Sequence, residues 1–156
     1  AAGDLERVSQ FLGRRFSLSG RVRHGDARGR DLGFPTANIE FQGQVLPRDG
    51  VYVTRVTVDG ETFAAATNIG VRPTFQSSTS VNRRIVEAHL LPTQQPSDAA
   101  PLDPLNLYRK RLRVEFLARL RDEKRFESVS ALQDAIHADI EQTREIYDRV
   151  VSDESA

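Results

Sequence analysis

The feature that most restricts the fold of this chain is a pair of β-rich segments joined by Asp59-Gly60. The run "GVYVTRVTV" precedes this dipeptide and "ETFAAATNIG" follows it. Asp-Gly between two such runs is typical of a type I′ turn, in which both central residues have positive φ. The two runs are therefore predicted to be antiparallel strands of one hairpin.

Three further runs indicate strands, and one indicates a helix. The strand patterns are "FSLSGRVRHG", "RRIVEAHLL" and "LRVEFLARLR", the last with strictly alternating apolar residues. The segment "SVSALQDAIHADIEQTREIYDRVV" carries apolar residues at helical spacing from Val129 to Val150, with Ser128 or Ser130 as the N-cap. Several strands, a hairpin and one closing amphipathic helix predict a small antiparallel β-barrel with the helix packed on it.

Two segments fall outside this barrel pattern. "DLERVSQFLG" predicts a short helix, and we assign residues 1–15 to an N-terminal helix and linker and residues 16–151 to one domain. Segment 92–106 contains four of the seven prolines and is predicted to be a protruding loop, either a functional lid or a neutral insertion. The chain begins with Ala1 rather than methionine, which suggests processing or a fragment of a longer protein.

Composition excludes several classes of protein. A chain of 156 residues with 38% hydrophobic content can bury one core. Lys+Arg and Asp+Glu are 22 each, which argues against a general nucleic-acid binder and against a polybasic membrane module. The absence of cysteine excludes disulfides, thiolate metal sites and cysteine nucleophiles. We find neither a signal-peptide pattern nor an apolar run that could span a membrane, so we expect a cytoplasmic protein.

The common catalytic motifs are missing, which leaves the run "RGRDLGFPTANIEF". There is no GxxxxGK[ST] loop, the three histidines lack metal-ligand spacing, and the serines lack a nucleophile-elbow pattern. Gly33 could let the backbone approach a ligand, or Gly33, Pro35 and Asn38 could form only a turn before a strand. Gly25 and Gly29 could similarly be flexible linker, or a nest of backbone N–H groups for an anion, to which Arg30 would add charge.

Five segments, in order, resemble the riboflavin kinase module, including the C-terminal half of bacterial bifunctional riboflavin kinase/FAD synthetases. They are "GFPTAN", "LPRDGVYV", "NIGVRPTF", "VEAHLL" and "LYRKRLRVEFLARLRDEKRFES". The resemblance runs from about Phe16 to Tyr147. It implies a six-stranded antiparallel Greek-key barrel with a C-terminal helix, and the conversion of ATP and riboflavin into ADP and FMN. An N-terminal FAD synthetase (adenylyltransferase) half of the same polypeptide would then be missing, and neither nucleic acid nor membrane is an expected partner.

The resemblance also implies roles for the glycine-rich segment. Thr36 and Asn38 match the positions whose side-chain oxygens hold Mg²⁺ and phosphate oxygens, and oxygen is the ligand that this hard cation prefers. The nucleotide- and phosphate-binding set implied around them consists of Gly25, Gly29, Arg30, Gly33 and Pro35. We therefore expect Mg²⁺ as cofactor and ATP as the nucleotide substrate.

Glu87 matches the catalytic base of the family. By parity it shares a strand face with Ile85 and His89, and the pattern alone fits equally a solvent-facing strand carboxylate. A carboxylate hydrogen-bonded to the riboflavin 5′-hydroxyl could accept its proton during attack on the γ-phosphate. Arg121 matches an arginine near the flavin and nucleotide, although an arginine at a strand end is often a solvated charge. Candidates for the apolar walls of a flavin site, by chemistry alone, are Phe75, Leu117 and Phe126.

The chain departs from the family pattern after "VEAHLL". Where the family commonly has an Asp-Leu-Tyr-Gly turn, this chain has Asn106 to Arg109, so the turn glycine is missing. We expect Asn68, Arg72 and Thr74 to shape a loop beside the "PTAN" turn. Two alternatives remain at this stage: a non-catalytic flavin- or nucleotide-binding barrel, and a small oligonucleotide-binding barrel.

Overall fold

The structure is a computed structural model. It describes Leu5, Arg7 and residues 13–23, 33–42, 44–76, 79–92 and 104–155, with the backbone alone for 72–76, 79–82, 104 and 105. Leu5 and Arg7 are helical, and the other residues of the predicted N-terminal helix lie outside the described part, as do residues 93–103 of the proline-rich segment.

Six antiparallel strands close into a barrel, which confirms the predicted architecture. The strands are β1 (Ser17–Arg23), β2 (Ala37–Glu40), β3 (Gly50–Val58), β4 (Glu61–Gln76), β5 (Thr79–Leu90) and β6 (Arg111–Arg121). Their order around the barrel is β1-β2-β5-β4-β3-β6. A short 3₁₀ helix (Pro104–Leu107) precedes β6, and helix α1 (Val129–Glu154) follows it. Within the described residues, no helix combines the length and the apolar character needed to cross a membrane.

The hairpin predicted from Asp59-Gly60 is present. The φ angles of these two residues are +51° and +80°, and Val58 pairs with Glu61 across the turn. Both central residues thus have the positive φ that a type I′ turn requires. Strands β3 and β4 follow from it as predicted.

The core lies inside the barrel because alternate residues of each strand point inward. Along β6, Leu112, Val114 and Phe116 are buried, as the alternation predicted. The Phe116 ring packs edge-on against Tyr52, with 5.2 Å between centroids.

Helix α1 packs on the outside of β3, β4 and β6. Ser128 is its N-cap, since the Ser128 hydroxyl accepts a hydrogen bond of 3.0 Å from the Ala131 N–H. The prediction that Val129 belongs to the buried apolar stripe is wrong, because Val129 is 61% exposed. The buried residues of the helix are instead two polar ones, Asp139 and Thr143. Asp139 is buried because the barrel surface beneath the helix contains a charged side chain, Arg121, with which it forms an ion pair.

Strands β4 and β5 form a longer hairpin than the sequence predicted. They remain paired as far as Gln76 and Thr79, and even Pro73 has a register partner. The prediction of a loop around Asn68, Arg72 and Thr74 is therefore wrong, because the backbone of these residues belongs to β4.

Candidate active site

Three polar residues are direct neighbours across β2, β5 and β4. Asn38 pairs with Glu87, and Glu87 pairs with Asn68. Directly opposite residues of antiparallel strands have Cα atoms about 4.5–5.5 Å apart, so the three span about 10 Å. We call Asn38, Glu87 and Asn68 the polar row.

The polar row lies on the outer surface of the barrel. Val86 and Ala88, which flank Glu87 in β5, are 1% and 0% exposed and belong to the interior, so Glu87 points outward. Its side chain is half-buried. The sequence left open which face of β5 points into the barrel, and the structure shows that the face with Glu87 points outward. The carboxylate is therefore partly desolvated.

The segment that leads into β2 is clamped between β5 and α1. The Nδ1 of His89 lies 2.7 Å from the carbonyl oxygen of Pro35. The ring of Phe34 stands edge-on to His89 at 6.0 Å and to His137 of α1 at 4.9 Å. These contacts position Thr36, which is half-buried and directly precedes β2.

Burial determines the state of the His89 imidazole. It lowers the pKa of His89 below the usual value for histidine, and the charge of Arg144 on α1 lowers it further. The ring is therefore neutral at pH 7, with the Nδ1 proton donated to the Pro35 carbonyl oxygen.

On the other side of the polar row, Arg121 is bound to the helix. Its Nε donates to Oδ1 of Asp139 at 3.0 Å and a terminal nitrogen donates to Oδ2 at 2.8 Å. The guanidinium also lies 5.5 Å from the centroid of Phe126. Arg121 pairs with Val51, which in turn pairs with Asn68, so the register brings Arg121 to the same level as the polar row.

Asn68, which the sequence analysis placed in a loop beside the "PTAN" turn, lies in β4 next to Glu87. Its Nδ2 lies 3.4 Å from Oε1 of Glu123, while its Oδ1 is buried and has no hydrogen-bond partner among the described residues. Gly70 makes room for the Glu123 carboxylate, which occupies the space that a Cβ at position 70 would need. The position of His89 could be anticipated because it has the parity of Glu87, whereas the pairing of Asn68 with Glu87 depends on the strand register.

The structure describes some of the remaining predicted site residues and not others. Gly33 has a φ of +86°, which glycine adopts readily, and Leu117 is half-buried in β6. Gly25, Gly29, Arg30 and the side chain of Phe75 lie outside the described residues. The structure thus brings Thr36, Asn38 and Glu87 together, with Arg121 and Phe126 beyond Asn68.

Oxygen ligands for a metal ion are available without an acidic cluster. Among the described residues there is no group of three or more histidine, aspartate or glutamate side chains that could hold a metal. The side-chain oxygens of Thr36 and Asn38 have the chemistry that Mg²⁺ prefers, and such an ion usually completes its coordination with phosphate and water. These residues therefore fit a nucleotide-bound magnesium ion.

The turn that lacks the family glycine has a conformation that favours glycine. Arg109 has a φ of +67°. Its N–H donates to the Val22 carbonyl at 3.0 Å, and the Lys110 N–H donates to the Leu107 carbonyl at 2.9 Å. The turn is therefore made with an arginine in a left-handed conformation.

Comparisons with known proteins cover nearly the whole chain. A family described as Flavokinase, riboflavin kinase, matches residues 12–147. The bifunctional riboflavin kinase/FMN adenylyltransferase of Pseudomonas fluorescens is 40% identical over 144 residues, which cover 92% of this chain and 42% of that protein. The protein of the same description from Escherichia coli K12 is 37% identical over 148 residues, 94% of this chain and 43% of that protein. The chain thus spans about two fifths of the length of these curated relatives.

Solved structures show the same similarity. Riboflavin kinase from Trypanosoma brucei has a TM-score of 0.52 and 26% identity, covering 83% of this chain and 78% of that chain. A protein described as a macrolide-efflux protein from Streptococcus pneumoniae has a TM-score of 0.74 and 31% identity, covering 91% of this chain and 42% of that chain.

Proposed function

This chain belongs to the riboflavin kinase family, and we propose that it transfers the γ-phosphate of ATP to the 5′-hydroxyl of riboflavin, giving FMN and ADP. The observation that carries the proposal is the polar row, in which a half-buried carboxylate stands between two asparagines beside Thr36. In the terms of enzyme nomenclature this is an ATP:riboflavin 5′-phosphotransferase.

Glu87 is the general base in this proposal. A primary alcohol is a weak nucleophile, so a carboxylate that accepts a hydrogen bond from the 5′-hydroxyl orients it and takes its proton as the bond to phosphorus forms. Partial burial of Glu87 supports this role, because it removes competing water from the carboxylate.

Thr36 and Asn38 hold the metal and phosphate end of the nucleotide. Mg²⁺, when bound, neutralises charge on the phosphate oxygens. The clamp formed by His89 and Phe34 fixes the backbone that carries Thr36, and pairing with Glu87 fixes the backbone of Asn38. The distance between the phosphate-binding residues and the base is then determined by the barrel itself, which favours a productive geometry.

Asn68 and the segment after β6 form the flavin side. The buried Oδ1 of Asn68 is an unsatisfied acceptor beside Glu87, and a hydroxyl group of the ribityl chain would satisfy it. Phe126, Leu117 and Phe75 are the proposed apolar walls for the isoalloxazine ring, with Arg121 at its edge.

The direct experiment incubates the protein with riboflavin, ATP and Mg²⁺ and separates the flavins by chromatography. We expect FMN and an equal amount of ADP, and no FAD. Riboflavin binding without ADP formation would instead support a non-catalytic flavin-binding barrel. In the relatives named above, the same polypeptide also carries FMN adenylyltransferase activity by description, and we propose that this chain corresponds to the kinase part.

The proposed division of roles predicts the effect of changing Thr36→Ala and Asn38→Ala together. The lost oxygens face metal and phosphate, so Mg-ATP affinity should fall at least tenfold while riboflavin affinity changes less than threefold. Titrations with each ligand separately measure this, and Thr62→Ala, an exposed threonine at the start of β4, is the control. A fall in flavin affinity with nucleotide affinity unchanged would reverse the assignment.

A further inference from the structure

Two arginines face each other across β1 and β6 on the outside of the barrel. Arg21 pairs directly with Arg111, and both side chains are exposed. Like charges directly opposite each other destabilise a sheet. Within the part of the chain that the structure describes, neither arginine forms an ion pair with a carboxylate.

The carboxylate that lies opposite Arg21 on β2 forms ion pairs with other arginines. Glu40 is the register partner of Arg21, but it forms ion pairs with Arg23 and, at 3.6 Å, with Arg83. Among the described residues, the positive charge of the Arg21–Arg111 pair is therefore not compensated by an ion pair.

The pair borders a concave surface of suitable size for a small ligand. A cavity of about 400 Å³ is lined by Ser19, Gly20, Arg21, Arg23, Glu40, Gln42, Gln44 and Arg111. Its wall is held in place by Gln44, whose Nε2 donates to the Ser19 carbonyl at 2.8 Å. Volumes of this order are typical of small-molecule sites. Three arginines against one carboxylate give the cavity a positive charge.

Arg109 lies at a second cavity beside the first and has an unfavourable backbone conformation. A second cavity, of about 590 Å³, shares Arg21, Arg23 and Glu40 with the first and is completed by Val22, Tyr108 and Arg109. The left-handed φ of Arg109 costs about 1–2 kcal/mol relative to an ordinary conformation, and glycine would avoid this cost. A strained arginine at the edge of a positive cavity points to a use for its guanidinium.

We propose that this arginine face, defined by Arg21, Arg23, Arg109 and Arg111, binds a phosphate-type anion with two or more negative charges. Guanidinium groups present fork-shaped sets of N–H donors that match phosphate oxygens, and guanidiniums on two strands can bind different oxygens of one anion. The face adjoins the polar row at Arg23, which pairs with Asn38, and extends away from it, because Arg21 lies opposite Glu40, two residues (about 7 Å) beyond Asn38 along β2. The anion is either a free phosphate or diphosphate, or the phosphate tail of a nucleotide.

The test is calorimetric titration of the protein with sodium diphosphate, without metal and without flavin, in a phosphate-free buffer of low ionic strength. We expect saturable binding that Arg21→Gln and Arg111→Gln each weaken at least tenfold. Arg113→Gln is the matched control, because Arg113 is also exposed on β6, two residues after Arg111, and does not line either cavity. It should weaken binding less than threefold, and thermal melts should show that all three variants are folded.

The location of the anion is tested with the Thr36→Ala/Asn38→Ala variant, which should bind diphosphate like the wild type. The proposal is overturned if diphosphate does not bind at millimolar concentration, if Arg113→Gln is as harmful as Arg111→Gln, or if only the Thr36/Asn38 variant loses binding. Titration with ADP then distinguishes the sources. Tighter binding of ADP that still depends on Arg21 and Arg111 identifies a nucleotide tail, and equal binding identifies a free anion; both results support the site.

Discussion

At the scale of single residues, the environment of Glu87 bears on whether it is the proposed catalytic base or a surface carboxylate. The side chain lies outside the barrel, yet it is half-buried and has an asparagine on each neighbouring strand. A strand carboxylate that served only solubility would gain nothing from a half-buried position, because partial burial disfavours its charged form.

Glu87→Gln tests the proposed base directly. Glutamine keeps the shape and one acceptor oxygen but cannot take the hydroxyl proton, so kcat should fall by about 10²–10⁴ while both substrates still bind. Steady-state kinetics at saturating riboflavin and Mg-ATP measure the change, with Glu61→Gln, an exposed carboxylate of β4, as the control. If the folded Glu87→Gln protein turns over within a few-fold of the wild type, Glu87 is not the base.

Arg109 allows a prediction about strain. Glycine removes the steric cost of the left-handed conformation but adds chain entropy to the unfolded state, so Arg109→Gly should raise the free energy of unfolding by about 1 kcal/mol or less. Arg109→Ala removes the same guanidinium but keeps the Cβ, and it should give no such gain. Denaturant unfolding compares the two variants, and equal stabilities would show that position 109 is not strained.

At the scale of the elements, α1 is joined to the barrel by a charged contact as well as by apolar packing. Asp139 is 7% exposed and accepts hydrogen bonds from two nitrogens of Arg121. The same contact places the guanidinium of Arg121 next to Phe126, at the edge of the proposed flavin site. The docking of the helix and the geometry of this site are therefore coupled.

Asp139→Asn should destabilise the protein because it leaves the Arg121 charge without its partner. We expect a loss of about 1–3 kcal/mol, less than for a fully buried pair because Arg121 is partly exposed. Denaturant unfolding measures it, with Asp134→Asn, an exposed aspartate of the same helix, expected to change stability by less than about 0.5 kcal/mol. Equal effects of the two changes would mean that the ion pair contributes nothing to docking.

The sequence predicted those elements whose signals are local. The Asp59-Gly60 turn and the alternation along β6 follow from φ preferences and from the two-residue period of a strand, so they could be read directly. The Arg121–Asp139 contact and the place of Asn68 beside Glu87 depend on register and on helix docking, which join residues far apart in the chain. This is also why Asn68 was assigned to a loop and Val129 to the buried face of the helix.

At the scale of the whole molecule, one cluster joins the segment before β2, strand β5 and helix α1. The Phe34 ring contacts both His89 and His137, and His89 donates a hydrogen bond to the Pro35 carbonyl oxygen. The cluster holds the residues around Thr36 against the rest of the fold. Its central histidine is largely buried and neutral, so the stability of the protein should depend on pH near neutrality.

The sign of this dependence follows from the lowered pKa of His89. Between the folded and unfolded pKa values the unfolded state binds more protons, so the free energy of unfolding should fall as pH drops below about 6.5, until both states are protonated. Asp122 and Glu154, whose carboxyl pKa values are lowered by hydrogen bonds from Arg119 and Arg15, titrate below this window.

His89→Asn isolates the effect, because the asparagine amide can still donate to the Pro35 carbonyl but does not titrate. Denaturant unfolding between pH 5 and pH 7 should therefore give a flatter profile for this variant than for the wild type. His137→Asn, at an exposed histidine of the same cluster, is the matched control and should keep the pH dependence that His89→Asn loses. A pH dependence that persists in His89→Asn and disappears in His137→Asn would contradict this assignment, because it would then arise from the histidine of α1 and not from that of β5.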